Sequence, residues 1–307
     1  MSDQFLPFAY LQNKVVQFED ANVSVATHAL HYGTAAFAGM RAQPDAKSPN
    51  HMALFRPELH FKRLSESAKL LGANITEDEI ASKVADFIAA NPSDKPYYVR
   101  PLVYASELGV VPKLHDVAFD VLVYGVYMGD YMASDGITCC IASWTRSEDR
   151  AIPLRGKISG TYVSSALAKS EAVNRGFDEA IFLNSRGKVA EGSAMNIFMV
   201  KNGVLITPPV TADILEGITR RSILELATEL NIPIQEREID RSELLLANEA
   251  FLTGTAARIA PINTIEQFNL PKERPVTTAL AEALKNIVDQ HSDQHQDWIV
   301  PFSARSE

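Results

Sequence analysis

Residues 155–162 read Arg-Gly-Lys-Ile-Ser-Gly-Thr-Tyr. Two glycines bracket Lys157, so the lysine belongs to a loop. Upstream of it runs an apolar stretch, Ile137 to Trp144, followed by polar Thr145 to Arg150. Downstream, Thr161 to Arg175 is helix-like and ends at Gly176, where glycine suits a left-handed cap. The local pattern is strand, loop with one lysine, helix. Further on, Ala180 to Leu183 reads as a short strand. Asn202-Gly203 joins Ala194 to Val200 with Val204 to Thr207, and Asn-Gly is the strongest short-range hairpin signal. In Thr219 to Leu230, residues Ile223, Leu226, Ala227 and Leu230 repeat at the spacing of one buried helix face. A last helix follows Pro275, marked by Leu280, Leu284, Ile287 and Val288, and the polar tail from Gln290 is expected to fray.

Before the loop, Leu54-Phe55 precedes a helix-like Glu58 to Leu71 closed by Gly72. Thr76 to Ala90 follows, where Thr76 with Glu79 forms a capping box and Ile80, Val84 and Ile88 supply the buried stripe. Tyr97 to Ala105 and Ala118 to Tyr127 read as strands. The glycine- and aspartate-bearing stretch after them suits a linker. The expected organisation is a smaller N-terminal α/β domain (1–127), an interdomain loop (128–136) and a larger C-terminal domain (137–307), a mixed α+β and α/β chain without internal repeats.

The chain has 307 residues, 46% of them hydrophobic and 22% charged, enough to bury a sizeable core. Its net charge of −9 gives no general attraction to nucleic acid or acidic membranes. No run approaches the ~20 apolar residues that span a bilayer, and the N-terminus lacks a leader pattern, so a cytoplasmic address is expected. Cys139 and Cys140 are adjacent in an apolar run and read as small core residues. His28 and His31 have no acidic or sulfur partner nearby, so no metal site is expected.

Alone, Lys157 is more often a solvated loop residue. In a pocket of apolar groups, burial would instead favour its neutral amine, the form that condenses with a carbonyl. A pyridoxal cofactor then needs anion-binding groups for its phosphate, a carboxylate for its ring nitrogen and a donor near its phenolate oxygen. Leu215-Glu-Gly217-Ile218-Thr219-Arg opens a helix, so the N–H groups of Ile218 and Thr219 would face an anion, although such a start can also be only a cap. Arg63 borders a buried helix stripe, where the alternative is an internal salt bridge. Thr255, in Thr253-Gly-Thr-Ala-Ala257, offers a hydroxyl beside approachable backbone. Glu191, in Val189-Ala-Glu-Gly-Ser-Ala-Met-Asn196, is the candidate carboxylate, or else an exposed strand-end residue. Tyr162 is the candidate donor, or else a core tyrosine.

The motifs run in order: HALHYGTAAFAGMR from His28, YVRPL from Tyr98, SWTR from Ser143, Lys-X-X-Gly-X-Tyr from Lys157, EGSAMNIF from Glu191, then LEGITR and GTAA. Together, from Val15 to about Val288, they resemble the branched-chain amino-acid aminotransferases of the fold-type IV (class IV) pyridoxal-phosphate family, which also holds D-amino-acid aminotransferases and aminodeoxychorismate lyases. The resemblance implies a two-domain fold like that of D-amino-acid aminotransferase, with pyridoxal 5'-phosphate at the domain interface and at least a homodimer. It implies reversible, ping-pong transamination of leucine, isoleucine and valine with 2-oxoglutarate. The C-terminal domain would bind the cofactor, with Lys157 as Schiff-base lysine and general acid and base. Glu191 is implied on the pyridine nitrogen, Tyr162 on the phenolate oxygen, and Arg63, Gly217, Ile218, Thr219 and Thr255 around the phosphate. Tyr32, Phe37, Gly39, Tyr98 and Trp144 resemble positions lining the substrate pocket, and Arg100 the arginine that receives the second carboxylate of glutamate. The backbone of Thr255 and Ala256 would take the substrate carboxylate. The chain departs from this pattern at Ala38, where many bacterial members carry glutamate, and at Gln43 to Met52, which reads as an extra loop at the pocket rim or a subunit contact.

Overall fold

The computed structural model describes residues 4–48, 51–127 and 135–302. The expected interdomain loop therefore lies outside the described residues except for Asp135 and Gly136. The chain forms two compact units: Met1–Gly129 with Gly156–Gly160 and Ile287–Glu307, and Asp130–Arg155 with Thr161–Asn286. The sequence suggests two contiguous domains, whereas the first unit also takes in the lysine loop and the C-terminal segment.

The first unit is built on strands β1 (Phe8–Leu11), β2 (Lys14–Gln17), β3 (Ala35–Phe37), β4 (Met40–Pro44), β5 (Met52–Phe55), β6 (Tyr97–Ala105) and β7 (Phe119–Tyr127), with helices α1 (His28–Tyr32), α2 (Pro57–Leu70) and α3 (Glu77–Ala90). Hydrogen-bonded strand neighbours run β5-β4-β6-β7-β1-β2, with β3 also on β6. Strand β6 alternates: Tyr97, Val99 and Val103 enter the core, while Tyr98, Arg100 and Leu102 lie on the other face, as period-2 geometry requires. The core side is covered by Phe61, Leu64 and Ala68 of α2 and by Ile80, Val84, Phe87 and Ile88 of α3. Helix α2 starts with Pro57 at its first turn after a left-handed Arg56. Helix α3 carries the expected capping box, with Thr76 Oγ1 accepting from the Glu79 N–H at 3.2 Å and Glu79 Oε2 accepting from the Thr76 N–H at 2.7 Å. Ala38 is a core residue whose N–H reaches the Pro101 carbonyl. The expected extra loop is shorter than 43–52, because Gln43 and Pro44 pair with Ala53 and Met52 in the β4–β5 hairpin.

The second unit holds β8 (Ile137–Thr145), β9 (Glu179–Leu183), β10 (Val189–Gly192), β11 (Asn196–Lys201), β12 (Val204–Thr207), β13 (Ile234–Glu236), β14 (Glu249–Gly254), β15 (Arg258–Ile265) and β16 (Phe268–Asn269), with α4 (Tyr162–Asn174), α5 (Ile218–Glu229), α6 (Arg241–Leu245) and α7 (Pro275–Val288). The order is β10-β9-β8-β15-β14-β11-β12-β13, with β16 also on β15. Strand β8 is parallel to both its neighbours and β12 to β13, so the sheet is mixed. Asn202 and Gly203, with φ of 52° and 78°, form the hairpin turn between β11 and β12. Cys139 and Cys140 are free and buried; Cys140 packs with Ala168 and Ala172 of α4 against Phe182. Burial pushes both thiols up, which suits inert core residues.

The tail does not fray where the sequence suggests it. After α7, residues Ile299–Phe302 form β17, antiparallel to β5 at the edge of the first sheet. Trp298 anchors it: its carbonyl accepts the Arg56 N–H at 2.6 Å, and its ring lies 4.1 Å from the Arg56 guanidinium and 3.9 Å from the His295 ring. A single aromatic anchor outweighs the polar composition around it. Among the described residues, no helix is long and apolar enough to cross a membrane.

Candidate active site

In the first unit, Lys157 is partly buried rather than solvated. Its N–H donates to Ser67 Oγ at 3.0 Å, and its carbonyl accepts from the Phe37 N–H at 3.0 Å. The next residue, Ile158, bridges to Ala36. The Lys157 Nζ stands 4.9 Å from the centroid of the Phe37 ring. Gly156 lies close to Leu70 of α2, whose Cδ1 would be 2.9 Å from a Cβ at that position. The hydroxyl of Ser67 in turn donates to the Arg63 carbonyl at 2.6 Å, so the lysine loop is tied to the turn of α2 that carries Arg63. The buried stripe of α2 comprises His60, Phe61, Leu64, Ser67 and Ala68, whereas Leu70 is exposed. His60 is held neutral, its pKa well below the usual value because of burial and then the charges of Arg63, Lys157 and Arg56.

The same unit brings together Phe37, Gly39, Tyr98 and Arg100. The Arg100 guanidinium lies 4.6 Å from the Phe37 ring and 5.0 Å from the Tyr98 ring, and its Nη2 donates to the Tyr98 hydroxyl at 3.0 Å. That hydroxyl sits over Gly39, where a Cβ would come within 1.6 Å of it. The buried Nε of Arg100 has no hydrogen-bond partner. An aromatic wall with an incompletely satisfied guanidinium suits an apolar side chain or a carboxylate. Tyr32 directs its hydroxyl to the Val110 carbonyl at 2.5 Å. His28 and His31 bind Thr34, Val111 and Val25, which accounts for both rings structurally. Among the described residues no group of His, Cys, Asp and Glu side chains could hold a metal ion.

In the second unit Glu191 is buried, not an exposed strand end. Arg146 Nη2 pairs with its Oε1 at 2.8 Å. Its Oε2 accepts from Asn196 Nδ2 at 3.0 Å and from the Leu215 N–H at 3.2 Å. Asn196 Nδ2 also donates to the Leu215 carbonyl at 2.8 Å, and Asn196 Oδ1 would lie 2.0 Å from a Cβ at Gly217. Asn196 therefore joins the carboxylate to the start of α5. Gly217 precedes that helix in extended backbone without a side-chain cap, so the first N–H groups, including those of buried Ile218 and Thr219, have no intrahelical partner. Thr255 and Ala256 form part of the turn between β14 and β15, closed by the Gly254–Arg258 pair. Tyr162 opens α4, and Trp144 is exposed near the end of β8.

Arg146, Asn196, Ser67 and His60 have no role assigned by sequence alone. Arg146 and Asn196 stand inside quoted motifs, and a buried arginine demands a carboxylate; which carboxylate depends on packing of segments 45 residues apart in the chain, 191 against 146. A pyridoxal phosphate fits these donors. Glu191 is a buried carboxylate held in place by Arg146, Asn196 and the Leu215 N–H, the type of group that the ring nitrogen calls for. The uncapped start of α5 offers N–H groups to a phosphate. Position 217 must lack a side chain for the carboxylate support to form.

Residues 36–265 match the model of the amino-transferase class IV family. The chain belongs to that family, and its fold is of the fold-type IV kind. It is 54% identical over 296 residues to a probable branched-chain-amino-acid aminotransferase of Synechocystis sp., covering 96% of this chain and 97% of that protein. Its structure matches that of a branched-chain aminotransferase from Thermoproteus uzoniensis, solved with norvaline, at a TM-score of 0.92, with 36% identity and coverage of 97% of this chain and 99% of that one. A branched-chain amino acid aminotransferase from Thermobaculum terrenum in its PLP form matches at 0.91, with 33% identity and the same coverage.

Proposed function

We propose that this chain is a pyridoxal-phosphate-dependent branched-chain amino-acid aminotransferase, which moves the amino group of leucine, isoleucine or valine to 2-oxoglutarate in two half-reactions. The observation that carries the reading is the buried Glu191 carboxylate, paired with Arg146 and steered by Asn196 and the Leu215 N–H. When bound, the cofactor supplies an aldehyde for the amine and an electron-accepting ring. Glu191 holds the proton on the ring nitrogen, and Tyr162 donates to the phenolate oxygen. Arg63 of the first unit, and Gly217, Ile218, Thr219 and Thr255 of the second, are the candidate ligands of the phosphate. Lys157 anchors the cofactor, then takes the proton from the substrate Cα and returns it during the exchange. The Phe37, Gly39 and Tyr98 wall receives the branched side chain, with Tyr32 and Trp144 as further lining. Arg100 receives the second carboxylate of glutamate, which its unsatisfied Nε supports. The N–H groups of Thr255 and Ala256 receive the substrate carboxylate.

The proposal includes a cytoplasmic homo-oligomer. The exposed Val25, Leu30, Leu108, Val110 and Val111 of the first unit support it, since a monomer gains nothing by leaving such residues in water. Light scattering tests the assembly, and a monomer would refute it.

The activity is tested by following the visible absorption band of the bound cofactor in single half-reactions. L-Leucine, L-isoleucine, L-valine and L-glutamate are expected to bleach it, and D-alanine is not. A response to D-alanine without one to L-leucine would place the chain among the D-amino-acid aminotransferases. A coloured protein inert to every donor would be a cofactor-binding protein without turnover.

A further inference from the structure

We propose that Ser67 is a positioning residue for proton transfer: through one hydroxyl it sets the reach of the Lys157 amine relative to the helix turn bearing Arg63. The proposal rests on the reading of Lys157 as the anchor amine and Arg63 as a phosphate ligand. Ser67 is 1% exposed and lies on the buried stripe of α2. Its oxygen performs two tasks, donating to the Arg63 carbonyl four residues back at 2.6 Å and accepting the Lys157 N–H at 3.0 Å. The first bond alone is common for serine in helices. The second joins residues ninety positions apart in the chain and is made by the main chain of the residue whose side chain does the chemistry.

The remaining contacts of the loop explain why one hydroxyl matters. On its other side the Lys157 carbonyl is held by the Phe37 N–H, and Gly156 packs against Leu70 of the same helix. The main chain of the lysine is thus clamped between β3 and α2. If Ser67 loses its oxygen, the Lys157 N–H loses its acceptor, and the loop shifts toward any other one. Small displacements of a reacting group are costly to rate, by up to about 10²-fold for roughly 1 Å.

The test compares intact wild-type, Ser67→Ala and Ser67→Cys holoenzymes. Cysteine keeps the volume but offers only a weak sulfur acceptor, so it separates hydrogen bonding from packing. In both variants kcat for leucine is expected to fall about tenfold with KM changed less than about twofold, and the isotope effect with 2-deuterio-leucine to rise as proton transfer becomes rate-limiting. Loss of the visible band during dialysis against phosphate is expected to quicken in both. Wild-type behaviour of Ser67→Ala, or full restoration by Ser67→Cys, would overturn the proposal, as would a rise in KM at constant kcat. If the wild type itself acquires no visible band with pyridoxal phosphate, the functional reading fails instead; a band in the wild type with unaltered variants defeats the role of Ser67 alone.

Discussion

Lys157 in the first unit and Glu191 in the second are held by opposite means. Lys157 is fixed through its main chain, with its N–H on Ser67 and its carbonyl on Phe37, while its amine extends over the Phe37 ring. Glu191 is fixed through its head group, both oxygens being taken by Arg146, Asn196 and the Leu215 N–H. In the proposed reaction, a group that must move between bonded and proton-carrying positions needs a firmly held root. One that only stabilises charge needs a firmly held head group, because an immobile, desolvated carboxylate acts without reorganisation.

Removing either group breaks the comparison at its strongest point. Lys157→Ala is expected to lower turnover of leucine with 2-oxoglutarate by about 10³-fold or more, since anchor and proton carrier are lost together; steady-state kinetics check this. Glu191→Gln is expected to cost about 10²-fold in kcat/KM and, unlike the lysine variant, to destabilise the fold. It leaves the Arg146 guanidinium buried without its counter-charge, a loss of roughly 3–5 kcal/mol. Chemical denaturation should show that loss largely recovered in the Arg146→Met/Glu191→Gln double variant; additive losses would mean the pair is not coupled.

Gly217→Ala sharpens the same contrast. A Cβ 2.0 Å from Asn196 Oδ1 must displace the amide that steers Glu191. A stability loss of about 1–3 kcal/mol is expected with weaker cofactor binding, measured by pyridoxal-phosphate titration.

How much of this is written locally in the chain differs between the two residues. The capping box of Thr76 and Glu79 and the Asn202-Gly203 turn depend on neighbours in sequence, and the structure has both. The loop position of Lys157 and the uncapped start at Gly217 are similarly local. The grip on each side chain is not. Ser67 meets Lys157, and Arg146 meets Glu191, only after strands and helices pack, and no local pattern encodes those encounters. The tail illustrates the same limit: its composition suggests fraying, yet Trp298 stacked on Arg56 returns it to the sheet edge as β17.

Smaller effects concern the ground beneath Lys157. His60 has a folded pKa well below its usual value of 6.5, so folded and unfolded chains both carry it neutral above that value. Below it the unfolded chain takes up the proton first, and stability falls with falling pH until the folded pKa is passed. His60→Gln is expected to flatten the dependence of the unfolding midpoint on pH just below 6.5; an unchanged slope would show that His60 does not titrate on unfolding. Smallest is Thr76→Ala, remote from the site, with a loss of about 1 kcal/mol in thermal unfolding and unaltered kcat.

The role of Lys157 is tested most directly by borohydride reduction of the pyridoxal-phosphate-loaded protein followed by peptide mass spectrometry. The expected result is a phosphopyridoxyl mass on the peptide containing Lys157 and on no other, lost when excess L-leucine precedes the reductant. The same mass on a different lysine, or protein that takes up none, would contradict it.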